Sequence, residues 1–230
     1  MNKTLSSFVV ATGLTAVSYA LGEYYKWIDP TTTPFMLWLE IFSVWTSYSC
    51  TFLCIYQSRI NYLIGAVSVA ALGLLFYYKS DFASLALQTW LFPALLYGWF
   101  RWGPDLNTRP VTTLSLDWTL TAYAGVTAFI YGLCYWINNY MGGSMASLDA
   151  AILVLSILAQ FMMDNKKLEN WFVWIVVDII SVYEYAGQGM PILAIQMGLF
   201  GLNAVWGLYE WRKTQIASRV ALKNTTFVAS

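Results

Sequence analysis

Long apolar runs separated by short polar stretches set the pattern of this chain. Eight runs stand out, at roughly 4–22, 35–57, 60–78, 82–100, 115–137, 147–164, 170–188 and 190–211. A bilayer core about 30 Å thick takes about 20 mostly apolar residues of α-helix. Segments such as ATGLTAVSYALG and AILVLSILAQFMM are nearly continuous and lack the strict alternation of a membrane β-strand. The pattern therefore predicts an all-α membrane protein with eight transmembrane helices. The first run has Lys3 ahead of an apolar core and a faintly cleavage-like VSYALG. Its length, and Tyr19 within the small-residue pattern, favour a retained helix over a signal peptide.

A shift of 109 residues lays runs two to four on runs six to eight without a gap. Glu40 falls on Asp149, Ser47 on Ser156, and Asn61-Tyr62 on Asn170-Trp171. Phe76 falls on Tyr185, Gly98 on Gly207, and Trp102 on Trp211. Identities are few, and the unbroken register is the stronger signal. With one run between them, both units enter the membrane from the same side. That is a parallel repeat about an axis along the membrane normal, which in transporters puts the substrate site near the midplane between the repeats. The expected organisation is a peripheral transmembrane helix with an external loop (1–30), a first three-helix bundle (31–104), a linker helix (105–143), a second three-helix bundle (144–213) and a cytoplasmic tail (214–230).

Composition narrows the function classes. The chain is 59% hydrophobic, 18% aromatic and 10% charged, against about 25% charged in a typical soluble domain. Its 12 Lys+Arg balance 12 Asp+Glu, which speaks against a nucleic-acid partner. Histidine is absent, so any catalyst that needs it is excluded. Charge also orients the chain. Lys3, Arg59, Arg101, Arg109, Lys166, Lys167, Arg212, Lys213, Arg219 and Lys223 fall on one side of an eight-span layout, and only Lys26 and Lys79 on the other. The positive-inside rule then puts both termini in the cytoplasm.

Polar residues inside apolar runs mark interior faces, because an ionisable group at mid-membrane costs about 2.5–3.5 kcal/mol. In the seventh run Asn170, Trp171, Trp174, Asp178, Ser181 and Tyr185 recur at three- and four-residue spacing, so they share one helix face. Aromatic faces hold a flat organic cation by cation–π attraction, roughly 2 kcal/mol when dry, and a carboxylate balances its charge. The competing reading makes the two tryptophans interfacial anchors and Asp178 a helix–helix contact; Asp178 on the same face favours binding. Gln88, Gln196 and Asn203 also lie at mid-membrane depth. They suit either hydrogen bonds to a substrate or bonds between helices. Glu40 and Asp149 read as solvated acids at helix starts. No GxxxxGK[ST] loop, GxSxG elbow or metal-ligand cluster is visible; Cys50 and Cys54 alone make a poor metal site. The expectation is a non-enzyme without catalytic residues, cofactor or resident metal. The other classes in play are a membrane receptor or scaffold and, more weakly, a membrane-embedded enzyme.

The stretch LDAAILVLSILAQFMMDNKKLENWFVWIVVDIISVYEYAGQGM, followed by LFGLNAVWGLYEW, resembles the PnuC family of vitamin transporters. The resemblance rests on a W-x-x-W pair entering the penultimate helix, here Trp171 and Trp174, and extends through NYLIGAVSV, Gln88 and YGWFRW to about residues 38–211. It implies two three-helix bundles joined by one helix, as in SWEET carriers. It also implies uptake of nicotinamide riboside through the bacterial inner membrane by facilitated diffusion, with cytoplasmic phosphorylation trapping the vitamin. Relatives carry thiamine or uncharged nucleosides, and thiamine is the alternative cargo. Homo-oligomers are implied, with the trimer as candidate size. By matching position, Trp171 and Trp174 would frame the substrate. The chain departs from the family pattern at Ser68 and at Leu95 and Leu96, where amides are expected.

Overall fold

The computed structural model describes residues 3–28, 32–80, 82–103, 110–115, 118–140, 147–187 and 191–228. Among them run eight helices: α1 (Lys3–Tyr24), α2 (Pro34–Ile55), α3 (Ile60–Tyr78), α4 (Phe82–Trp102), α5 (Trp118–Tyr140), α6 (Ser147–Asp164), α7 (Asn170–Gly187) and α8 (Pro191–Val228). Seven begin and end within a few residues of the apolar runs. The eighth does not stop at 211. It continues through 214–228, where no glycine or proline interrupts the sequence, so most of the expected tail is helical.

Local chemistry explains the helix ends and their tolerance of polar residues. Thr33 caps α2 by accepting from the Met36 N–H at 3.4 Å, and Pro34 occupies the first turn, where a missing N–H costs nothing. Hydroxyls inside α1 and α2 bond back to their own helix: Thr15 to Ala11 O, Thr46 to Phe42 O and Ser49 to Trp45 O, each at 2.8 Å. In hydrocarbon this meets the need to satisfy each polar group internally.

The surface is inverted relative to a soluble domain. Phe100 is 76% exposed and Tyr183 74%, whereas Ser43 and Ser49 are fully buried and Asp164 is 1% exposed. An apolar exterior, with polar and charged groups gathered inside, is what a lipid solvent selects. By length and composition alone, Thr4–Tyr24, Ile60–Tyr78 and Ile192–Val220 suffice to cross a membrane among the described residues. Ala151–Asp164 is a further apolar helix, shorter than these three.

Pairs of contacts recur at the 109-residue interval. The turn after α2 carries Gln57 at φ 55°, and the turn after α6 carries Lys166 at φ 50°. Asn61 Nδ2 donates to Ser58 O at 2.6 Å, and Asn170 Nδ2 to Lys167 O at 2.5 Å. Trp102 Nε1 donates to Met163 O, and Trp211 Nε1 to Cys54 O, both at 3.3 Å. The Tyr62–Trp102 rings meet edge-on at 5.0 Å, and the Trp171–Trp211 rings at 5.4 Å. Among the described residues neither α1 nor α5 takes part. α1 packs on α2 and α8, through Trp45 Nε1 to Thr12 Oγ1 at 3.0 Å, and α5 rests on α6, through Tyr123 and Phe161.

Candidate functional site

Six helices, α2–α4 and α6–α8, line a cavity of ≈ 240 Å³. That is just below the ~300 Å³ at which typical small-molecule pockets begin. From α7 its wall takes Trp171, Trp174, Asp178, Ser181 and Tyr185, which is the predicted stripe without Asn170. Gln88 of α4 and Gln196 of α8 also line it. Asn203 does not. It is buried beside the cavity, and both its amide atoms lack a partner among the described residues. Gly207 of α8 lies against Trp171 and Gly201 against Asp178, so Asn203 sits between those two levels.

The seven lining residues play unequal structural parts. Trp171 is almost fully buried, with its ring over Gly207 and edge-on to Trp211, so it belongs as much to the packed floor as to the wall. Trp174 is only partly buried, and its indole N–H has no partner among the described residues. Asp178 is 6% exposed and has no hydrogen-bond or ion-pair partner among the described residues. A carboxylate held in an apolar slab without a partner is expensive unless a ligand supplies one. Glu40, by contrast, pairs with Lys79 at 3.8 Å near a helix end.

The floor is closed by a bonded layer. Asp164 Oδ1 accepts from Tyr62 OH and from Gln160 Nε2, both at 2.8 Å. The Lys166 ammonium lies over the Trp102 ring at 4.8 Å. Arg59 stacks on Trp99 at 3.8 Å and donates to its carbonyl at 2.7 Å, and Arg101 donates to Asn165 Oδ1 at 3.1 Å. The segment 110–115 seals the outside of this layer, with Leu168 N bonded to Thr112 O and Leu114 N to Glu169 Oε1.

Several lining residues escaped the sequence reading. Ser47, Thr51, Asn61, Gln160 and Met163 all face the cavity. The repeat held the signal for some of them. Ser47 and Ser156 were already aligned, and Thr51 with Gln160 and Cys54 with Met163 follow from the same shift.

The model of a protein family described as "Nicotinamide mononucleotide transporter" matches residues 37–213. The chain belongs to this family. As a member it is a multi-pass membrane transporter and not an enzyme. The matched stretch contains every residue that lines the cavity and leaves out α1. The nicotinamide riboside transporter PnuC of Escherichia coli K12 is 25% identical over 202 residues, covering 76% of this chain and 84% of that protein. The PnuC of Neisseria mucosa is 26% identical over 172 residues, covering 66% of this chain and 64% of that protein. A riboflavin/roseoflavin transporter, RibM of Streptomyces davaonensis, is 22% identical over 158 residues, covering 66% and 72%. A crystal structure of the vitamin B3 transporter PnuC superposes with a TM-score of 0.72 at 19% identity, covering 94% of this chain and 93% of that one. At that identity the match establishes the fold shared by this family member.

Proposed function

We propose that the chain carries nicotinamide riboside into the bacterial cell across the inner membrane, with both termini in the cytoplasm. The observation that carries this reading is the pairing of Trp174 with an unpartnered Asp178 in one cavity wall. A pyridinium ring offers a flat cationic face to the indole and a positive charge to the carboxylate. The names of the Escherichia and Neisseria relatives support the same cargo.

In this reading α2–α4 and α6–α8 are parallel three-helix bundles joined by α5, as in SWEET carriers, with α1 at the periphery. The contacts that recur at the 109-residue interval support that architecture. The bundles rock about the cavity in alternating access, and the bonded Tyr62–Asp164–Gln160 layer closes the cytoplasmic end. Transport is facilitated diffusion, made one-way by phosphorylation of the vitamin inside. The protein works as a homo-oligomer, with the trimer as the working size.

The second reading keeps the fold and changes the vitamin. The riboflavin transporter among the relatives favours it, because one family frame then serves more than one cargo. Thiamine, also a cationic ring, fits the same wall. The test is quenching of the 12 tryptophans of detergent-purified protein by nicotinamide riboside, thiamine, riboflavin and a neutral nucleoside in parallel. Liposome uptake of whichever binds follows. Binding and uptake of the riboside are expected. Uptake of another vitamin alone moves the cargo, and binding of the riboside without its uptake overturns the riboside as cargo.

A further inference from the structure

We propose that the cavity floor is a binding site for a soft monovalent metal ion, held by the sulfurs of Cys50, Cys54 and Met163, and that filling it ties the two halves of the protein together. Cys54 Sγ lies 3.2 Å from Met163 Sδ, across 109 positions of sequence. Cys50 sits one turn before Cys54 on α2 and so shares its face. All three side chains line the cavity, and both thiols are free. Two cysteines from one helix are a poor site. Met163 adds a thioether from α6 to the same cavity lining, so three soft donors are available there.

The donor set selects the ion. Thiolate and thioether sulfur favour copper(I) and its soft relatives over magnesium, calcium or manganese. The hard donor of the floor, Asp164, is already bonded to Tyr62 and Gln160. Metal–sulfur bonds of about 2.3 Å put ligand sulfurs about 4 Å apart in a trigonal set, so Cys54 and Met163 need separate by less than about 1 Å. Silver(I) is the cleanest probe because binding involves no change of oxidation state. The ion displaces the thiol protons of Cys50 and Cys54, which leave to water. Met163 donates a lone pair and releases nothing.

Cys54 and Met163 belong to opposite halves, and their carbonyls accept the crossed Trp211 and Trp102 bonds. An ion between their sulfurs therefore bridges the point where the halves meet. The binding claim stands without the transport reading; the claim that occupancy stops uptake rests on it.

The experiment uses full-length protein carrying Cys134→Ser, so that Cys50 and Cys54 are its remaining cysteines. Silver nitrate is titrated in detergent, with native mass spectrometry giving the stoichiometry. One silver per chain is expected. Met163→Leu, which keeps side-chain volume, should weaken binding at least tenfold, and Cys54→Ser at least a hundredfold. Hydrogen exchange at 56–59 and 165–168 should slow at least tenfold on silver binding in the parent and not in Met163→Leu. Silver bound equally by parent and both variants overturns the site. Silver bound as expected with unchanged exchange overturns the bridge. Neither readout needs a vitamin, so a failed uptake assay is attributable to the cargo reading alone. Where uptake is measurable, silver should stop it in the parent at concentrations that Met163→Leu survives.

Discussion

Followed upward from their first asparagine, α3 and α7 stay alike for one turn and then part company. Asn61 and Asn170 bond to the same carbonyl three residues back. Tyr62 and Trp171 lie against Gly98 and Gly207. Above that level Gly65 stands where the other half has Trp174, Val69 where it has Asp178, and Leu72 where it has Ser181. On α4 and α8 the exchange runs both ways: Gln88 stands where the other half has Met197, and Leu87 where it has Gln196. Repeated geometry is kept where helices must pack and is broken where the cavity begins. A cavity whose two walls differ in chemistry can hold an asymmetric solute in one orientation, because only one wall offers the indole and the carboxylate.

The floor supplies the largest expected effect. A Cβ at Gly207 would sit within 2.6 Å of three Trp171 ring carbons, and one at Gly98 would collide with the Tyr62 ring. Overpacking of this kind costs roughly 1–3 kcal/mol, and neither aromatic ring has room to retreat. Gly207→Ala and Gly98→Ala should each lower the thermal midpoint in detergent, and by similar amounts. A drop in only one of them breaks the symmetry of the floor.

The wall should answer unequally. Trp174→Ala is expected to weaken riboside binding by about 2 kcal/mol, the worth of a desolvated cation–π contact, with the thermal midpoint little changed. Asp178→Asn sharpens the comparison further. It removes the charge and keeps the shape, so it should weaken a cationic vitamin about tenfold, or ~1.4 kcal/mol, and spare its neutral analogue. Equal losses for both ligands would make Asp178 a packing or hydrogen-bonding residue. The matching change on the other wall, Val69→Ala, should leave the cation-to-neutral ratio where it was.

How much of this could be read beforehand follows the same division. Helix positions were legible because lipid imposes one rule on every span, a long apolar run. The α7 stripe was legible because Asp178 is costly anywhere except an interior face. The Cys54–Met163 contact and the Asp164 cluster were not, because each joins residues from different halves whose approach is set by packing. Asn203 shows the opposite failure. It lies seven residues after Gln196, on the same helix face, yet Gln196 lines the cavity and Asn203 does not. A helix face spans more than one neighbour, and the α7–α8 contact takes part of it. The continuation of α8 past 211 also escaped notice, because hydropathy marks where lipid ends and not where a helix does.

The smallest expected effect tests whether tryptophan position or tryptophan content matters. Trp27 lies beyond the end of α1, partly exposed and stacked on Tyr25 at 4.9 Å. It reaches neither the cavity nor the floor. Trp27→Ala should change stability by less than about 0.5 kcal/mol, as exposed substitutions away from special features do, and leave vitamin affinity unaltered. Trp174 differs from it in one respect that counts: its indole N–H is buried without a partner among the described residues, and its ring lines a mostly apolar cavity wall. A ring in that setting attracts a cation with little competition from solvent, and a belt ring does not. If Trp27→Ala lowered affinity as much as Trp174→Ala, the binding signal would be coming from the membrane interface, and the wall would lose its claim to the vitamin.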